Sequence, residues 1–387
     1  MDSAFKLAAA FYASVEHDPV LRALYPSKTF KCAIEGLALF LAEVLGGPRE
    51  YTKTRWSVSL RDIHERLKIG PEHREHWIEK MFRAIDEVGI AEPERSALRR
   101  YFEEASTYVV NHPVAAGGID AVPIEHDLGH DIGRRWADRR TFEEAASAVR
   151  SGDAARAIGL AESLDDRVLL LAVLGKMSGS GVAELIGYVR SKLLADSELV
   201  RARYATDRTL LHEASGQGRA AIVELLLELG ADSNAVDHFG HAPLYYAGNL
   251  CAAESGGDVV RALVEGGANV DAHDGAKRCT ALHMAARRGH VRVAEALADC
   301  GAHIEARDSA GDTPLRRAVN CGQRDVAALL LSRGADLHSV GSRALTPLRA
   351  GRGAAMQLLL EASAASGRPG IVEVQGKDAR RNGRGGR

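Results

Sequence analysis

The sequence predicts an all-α protein made of two unlike helical parts, and three observations carry that expectation. Up to about residue 111, apolar side chains recur at the i, i+3, i+4, i+7 spacing of helical faces, with no strand-like alternation. From Thr209 onward a four-residue motif returns at intervals of 33, 38, 33 and 33 residues, which is the mark of a stacked repeat. Between the two parts, residues 114–140 (VAAGGIDAVPIEHDLGHDIGRRWADRR) are glycine-rich, charged and weakly periodic, the composition of a linker.

Each helix of the first part can be justified in order. The first runs from about Ala4 to Glu16 with Phe5, Ala8, Tyr12 and Val15 on one face, and Asp18-Pro19 and Tyr25-Pro26 punctuate the chain after it. A second, from about Phe30 to Leu45, turns Phe30, Ala33, Ile34, Leu37, Phe40 and Leu41 inward and stops at Gly46-Gly47-Pro48. In LRDIHERLKIGPEHREHWIEKM, residues 60–81, His64 shares a helical face with Leu60, Ile63 and Leu67. Gly70-Pro71 ends that helix and opens the next, where the missing proline N–H costs nothing. Trp77, Ile78, Met81, Phe82, Ile85 and Val88 form the inward side of this next helix. The last, from about Glu94 to Asn111, buries Leu98, Tyr101, Phe102, Ala105 and Tyr108 before His112-Pro113. A histidine on an apolar stripe is ordinarily a satisfied core residue, so spacing alone leaves the role of His64 open.

Composition narrows the classes of function. With 387 residues, the chain is long enough for two or three domains, and 46% hydrophobic with 26% charged residues suits a globular protein. A net charge of -2 gives no general attraction to nucleic acid or to an anionic membrane, so neither is an expected partner. The apolar run VLLLAVLG is far shorter than the roughly 20 residues a membrane span needs, and KLAAAFYASV has charges too close behind it for a signal peptide. Five cysteines (Cys32, Cys251, Cys279, Cys300 and Cys321) without a CxxC pair argue against a disulfide framework or a cysteine zinc site. That usage points to a cytoplasmic location, with Cys32 expected as a buried, inert thiol. In the linker, His126 and His130 stand four apart beside Glu125, Asp127 and Asp131, but Gly129 between them favours a solvated segment over a metal site.

The repeated motif reads TLLH at Thr209, APLY at Ala242, TALH at Thr280, and TPLR at Thr313 and Thr346. GAD at 230, GAN at 267, GAH at 301 and GAD at 334 keep step with it, and the long interval holds an insertion near NLCAAESGG. A 33-residue period with a TPLH turn and a GADVN-like loop resembles the ankyrin repeat. The threonine hydroxyl caps the first helix of each unit, proline takes its first position, and glycine ends the second helix. Tyr245, Arg316 and Arg349 stand in the histidine place, and Leu210 and Ala281 in the proline place. FEEAASAVRSGDAARAIGLAES and LLLAVLGKMSGSGVAELIGYVR have the form of two degenerate repeats, and the shortened unit at Thr346 that of a cap. The resemblance implies an α-solenoid over residues 141–364 that binds an unidentified protein. Its variable contact positions are His238, Phe239, Lys277, Arg278, Arg287, Arg288, Asp312 and Asn320, and the basic cluster at 277–288 points to an acidic partner. Residues 365–387 are a glycine- and arginine-rich tail expected to be disordered.

Residues 1–113 resemble a group II truncated haemoglobin. The segments FYASVEHDPVLRALYP, FLAEVLGGPREY, LRDIH and EHWIEKM carry the likeness, each weak alone and specific together. The resemblance implies a truncated globin fold holding haem b, with His64 as the iron ligand. Tyr12, Tyr25 and Trp77 would be polar donors over a bound ligand, with Ala33, Leu37 and Phe40 walling the pocket. Tyr51, Arg55 and Arg61 become candidates for the haem rim. The chain departs from the family's pattern at Leu45, at Trp56-Ser57-Val58 and at Arg66-Leu67, all around that rim. The function expected is a haem globin that binds dioxygen or another diatomic ligand, coupled to a protein-interaction module as a sensor or trap. That describes a ligand-binding protein more than a dedicated enzyme. The alternatives are peroxidase-like or nitric-oxide dioxygenase chemistry, and a haem-free ankyrin scaffold.

Overall fold

The computed structural model describes residues 2–25, 29–54, 64, 67–107, 109–111, 130–341, 345–350 and 353–365. Among them all extended regular structure is helical, with two isolated bridges, Tyr204 to Arg208 and His273 to Thr280. The chain divides into two units, one mainly from the first 214 residues and one mainly from residue 239 onward.

In the first unit, α1 (Asp2–Val15) buries Ala4, Leu7, Ala8, Phe11, Tyr12 and Val15. The stripe is thus centred on Leu7, Phe11 and Val15, while Phe5, expected inward, is 38% exposed. Asp18 caps the short α2 (Pro19–Arg22), accepting from Val20 N–H at 3.0 Å and Leu21 N–H at 2.9 Å. α3 (Lys31–Val44) packs across α1 and ends at Gly46, which takes a left-handed φ of 92°. Gly47 then approaches so closely that a Cβ there would lie 2.6 Å from the Ala42 carbonyl oxygen. In α4 (Glu50–Thr54), Thr52 is tied through its N–H and its hydroxyl to the Glu43 carboxylate, which seats Tyr51 edge-on against Phe40. α5 (Pro71–Val88) packs on α1 and ends at Gly89, and α6 (Glu94–Ala105) buries Leu98, Tyr101 and Phe102 against it. Tyr108, His126 and the tail beyond residue 365 lie outside the described residues.

The largest difference from the sequence expectation is α7 (His130–Ser151), a helix of 22 residues whose first half falls in the predicted linker. Its apolar positions before Phe142 are sparse, so the periodicity test missed it. Trp136 is 3% exposed within the core of the preceding helices and packs on Tyr101 at a tilt, with ring centroids 4.6 Å apart. Its indole N–H donates to the Val44 carbonyl at 3.1 Å, and Arg135 donates to the carbonyls of Glu43 and Gly47, both at 3.4 Å. Arg139 lies over the Phe40 ring at 4.9 Å. The second half of α7 buries Phe142, Ala145 and Ala146, and α8 (Ala154–Glu162) and α9 (Arg167–Gly179) pack on the helix. One helix therefore completes the first core and opens the following helical array.

In the second unit, paired helices stack on the next pair, as Ala281–Arg288 and Val291–Asp299 do on Pro314–Asn320 and Arg324–Ser332. The fully buried His283 shows what the motif histidine does. Its Nδ1 accepts from Thr280 N–H at 3.2 Å, and its Nε2–H donates to the Asp312 carbonyl of the following repeat at 3.0 Å. Arg316, in the histidine place one repeat later, sends Nη1 to the carbonyls of Leu345 and Thr346, both at 2.8 Å. The departure from the motif keeps the inter-repeat bridge with a longer side chain.

Trp136→Ala is expected to destabilise the first unit by about 3–5 kcal/mol, read by denaturant unfolding of the full chain. A cost below about 1 kcal/mol would show that α7 is not part of that core. Arg316→Ala should weaken docking of the terminal repeat by about 2 kcal/mol, because it removes charge-assisted bonds to two carbonyls. Limited proteolysis after residue 346 should then accelerate, and Arg316→His should fall between the two.

Candidate functional site

One cavity of about 290 Å³ lies in the first unit, walled mainly by aromatic and aliphatic side chains. α1 contributes Tyr12, the chain after α2 contributes Tyr25, and α3 contributes Ala33, Leu37 and Phe40 from one face. Tyr51 of α4, Trp77 of α5 and the half-buried His64 complete the set. Eight of the nine pocket residues expected from the sequence thus meet at one space. Arg55, the ninth, and Arg61 lie outside the described residues.

The polar end of this cavity is organised by rings. The Tyr12 and Tyr25 hydroxyls are 3.4 Å apart, with Tyr12 stacked on Phe30 at 5.2 Å and Tyr25 edge-on to both rings. Burial pushes the Tyr25 phenol above its ordinary pKa, so it stays protonated and able to donate at neutral pH. Arg22 lies over Phe30 and donates to the Tyr25 carbonyl, which holds the segment before Pro26 in place. Trp77 is wedged between Phe11 at 5.2 Å and Phe102 at 5.5 Å. Behind it, the buried Asp18 carboxylate joins α2 to α5 through His76 at 2.9 Å and Lys80 at 3.4 Å. Burial alone would raise the Asp18 pKa; the Leu21 N–H, His76 and Lys80 outweigh it and hold it at about 2.

Among the lining residues that the sequence did not place at the pocket, three bear on its chemistry. Tyr101 looked like core filler on α6, yet it lines the cavity, and its shielded hydroxyl has no hydrogen-bond partner. Arg74 and His73 line it from the first turn of α5, with Arg74 donating from Nη2 to the Glu103 carbonyl at 2.7 Å while its Nε is buried without a partner. The signal for Arg74 was present, since it stands three residues before Trp77 and shares its helical face. Cys32 is exposed, in contrast to the buried thiol expected, because it sits on the outer side of α3.

The expected partner contacts are mostly at the surface. His238, Phe239, Lys277, Arg278, Arg287, Arg288 and Asn320 are exposed, and Arg288 bonds Asn249 at 3.0 Å. Asp312 is not among them: it is 2% exposed, with Arg317 3.9 Å from its carboxylate and its N–H bonded to Asp308, so it shapes its own loop. A stacked pair the sequence analysis passed over, His241 on Tyr245 at 4.1 Å, lies beside the exposed Phe239.

Comparison with known families assigns both parts. Residues 2–111 match the family described as bacterial-like globin, residues 206–238 match an ankyrin repeat, and residues 249–340 match ankyrin repeats in three copies. Ankyrin repeat and SOCS box protein 16 of Homo sapiens is 33% identical over 149 residues, which is 36% of this chain and 32% of that protein. Ankyrin repeat and KH domain-containing protein 1 of Homo sapiens is 40% identical over 115 residues, covering 29% of this chain and 4% of that protein. Alpha-latrotoxin-Lh1a of Latrodectus hasselti is 32% identical over 144 residues, covering 36% of this chain and 10% of that protein. The chain spans less than a third of the length of each of these relatives. No helix among the described residues is long and apolar enough to cross a membrane.

Because the folded Asp18 titrates near 2 and an unfolded aspartate near 3.8, its carboxylate stabilises the first unit above about pH 4. That contribution is lost as pH falls toward 2. Asp18→Asn is therefore expected to lower stability at pH 7 and to flatten the acid-unfolding profile below pH 4. Superimposable profiles would show that the Asp18 cluster does not hold α2 to α5.

Proposed function

Proceeding from a globin domain followed by ankyrin repeats, we propose that the cavity binds haem with His64 as the iron ligand, as in group II truncated haemoglobins. The observation that carries this reading is the lining itself: the His64 imidazole shares a mainly apolar cavity with the phenols of Tyr12, Tyr25, Tyr51 and Tyr101 and the Trp77 indole, while the other imidazole on the lining, His73, has its Nδ1 taken by Gly70 N–H at 3.3 Å. The orphaned Tyr101 hydroxyl and Arg74 Nε support it, since buried polar atoms without partners are rare and a bound group would give them some. When bound, haem supplies an iron with a coordination position for a diatomic ligand.

The chain's own residues do the rest. His64 would hold the iron, while Arg74 and His73 are suited to the carboxylates at the haem rim. The apolar walls from Ala33, Leu37 and Phe40 exclude water, which strengthens every hydrogen bond inside. Tyr12 and Tyr25 offer O–H donors, and Trp77 an N–H, to a diatomic ligand that carries partial negative charge. A bond to a charged acceptor contributes roughly 1.5–3 kcal/mol, so two donors slow ligand escape on the order of 10²–10⁴-fold. Slow release suits a sensor or trap better than a carrier. The ankyrin repeats would recruit a protein partner, with Phe239 as an apolar contact and Lys277, Arg278, Arg287 and Arg288 favouring an acidic surface. Five free cysteines agree with a cytoplasmic setting.

The test is the absorption spectrum of the purified chain, ferric and then reduced under carbon monoxide, beside His64→Ala and Tyr12→Phe. A stoichiometric Soret band in the wild type, altered in His64→Ala, is expected. Oxygen should leave Tyr12→Phe about 10–100 times faster than the wild type. No Soret band after haem is supplied would overturn the proposal.

A further inference from the structure

The segment bearing His64 poses a helix-end problem. His64 is itself helical, and Pro71, seven residues on, has no N–H to offer. The last carbonyls of a helix lack intrahelical donors and need partners from elsewhere. Leu67 N–H reaches the His64 carbonyl at 2.9 Å in a tight turn. A further donor comes from the far end of the domain, where Asn111 Nδ2 donates to the same carbonyl at 2.9 Å. The Oδ1 atom of that amide accepts from Ile69 N–H at 3.0 Å, and Asn111 N–H donates to the Ile69 carbonyl at 3.0 Å.

One residue thus makes three bonds to the stretch from 64 to 69, across 42 to 47 positions of sequence. The pattern needs a short side chain that donates and accepts at once, which asparagine provides. Aspartate would keep the bond from Ile69 but lose the one to His64, and alanine would lose both.

We propose that Asn111 is a positioning residue for His64: by fixing the backbone oxygen of that residue it sets how the imidazole is presented to the iron. The inference rests on the haem reading above. It goes further by naming what holds the ligand, since bonds in the shell behind a metal ligand orient it and tune its bond. Asn111 does not line the cavity, so its effect must travel through the His64 peptide.

The test uses the full chain with haem, as wild type, Asn111→Asp and Asn111→Ala. Three quantities are read: the iron–imidazole stretching band of the reduced protein, haem transfer to an apoglobin acceptor, and amide exchange at Ile69 in the haem-free chain. Both variants are expected to shift or broaden the band and to lose haem about tenfold faster. Ile69 exchange should rise in Asn111→Ala and stay near wild type in Asn111→Asp, which separates the two arms of the amide. A wild-type band and wild-type haem retention in both variants would overturn the proposal, leaving Asn111 as a helix cap alone. A wild-type chain with no Soret band would overturn the haem reading and this one with it. The two failures are told apart by the wild-type spectrum.

Discussion

A helix that ends inside a folded domain leaves carbonyl oxygens without donors, and much of this protein's long-range architecture answers that constraint. The end of α3 takes its donors from Trp136 and Arg135, some 90 residues later in the chain. The turn at His64 takes a second donor, beside Leu67 N–H, from Asn111. Where the Thr346 repeat begins, the carbonyls of Leu345 and Thr346 are met by Arg316. In each case a side chain from a distant element binds carbonyls at the end or start of a helix, some of which also accept from a backbone N–H, so the bond sets tertiary arrangement as well as capping.

The same logic explains why the cavity can persist. A space walled by Phe40, Tyr101 and Trp77 would tend to collapse unless its walls were held from behind. Trp136 and Arg139 press on Tyr101 and Phe40, Glu43 pins α4 beside them, and Asp18 ties α2 to α5 behind Trp77. Two polar atoms on the lining, the Tyr101 hydroxyl and Arg74 Nε, are buried without hydrogen-bond partners, and a buried group of that kind calls for an explanation. α7 both backs the pocket and packs on α8 and α9, so one helix serves both helical groups of the first unit.

How much was legible in the sequence depended on whether a signal was local. The repeat period, the glycines that end helices and the capping threonines are local, and each reappears at the expected place. His64, Tyr12, Tyr25 and Trp77 could be singled out because the motif carrying them is dense and ungapped. Tyr101 was passed over because nothing in its neighbourhood distinguishes a lining aromatic from a core one, and Arg74 because its one signal, the helical face shared with Trp77, says nothing of burial. Asp312 showed the opposite fault, a polar residue at a surface-like position that the structure buries beside Arg317.

By itself the sequence determined an all-α chain in two parts, the boundaries of α1, α3 and α5 to within a few residues, and eight of the residues that line one pocket. Those features arise from periodicity and capping, which act over one to a few turns. Only the tertiary structure decided that His130–Ser151 belongs to the first core, that Phe5 faces out and Leu7 in, and that Asn111 reaches His64. These outcomes hinge on which orphaned donor or acceptor finds which partner after the chain has folded back on itself, and that pairing has no signature in neighbouring residues.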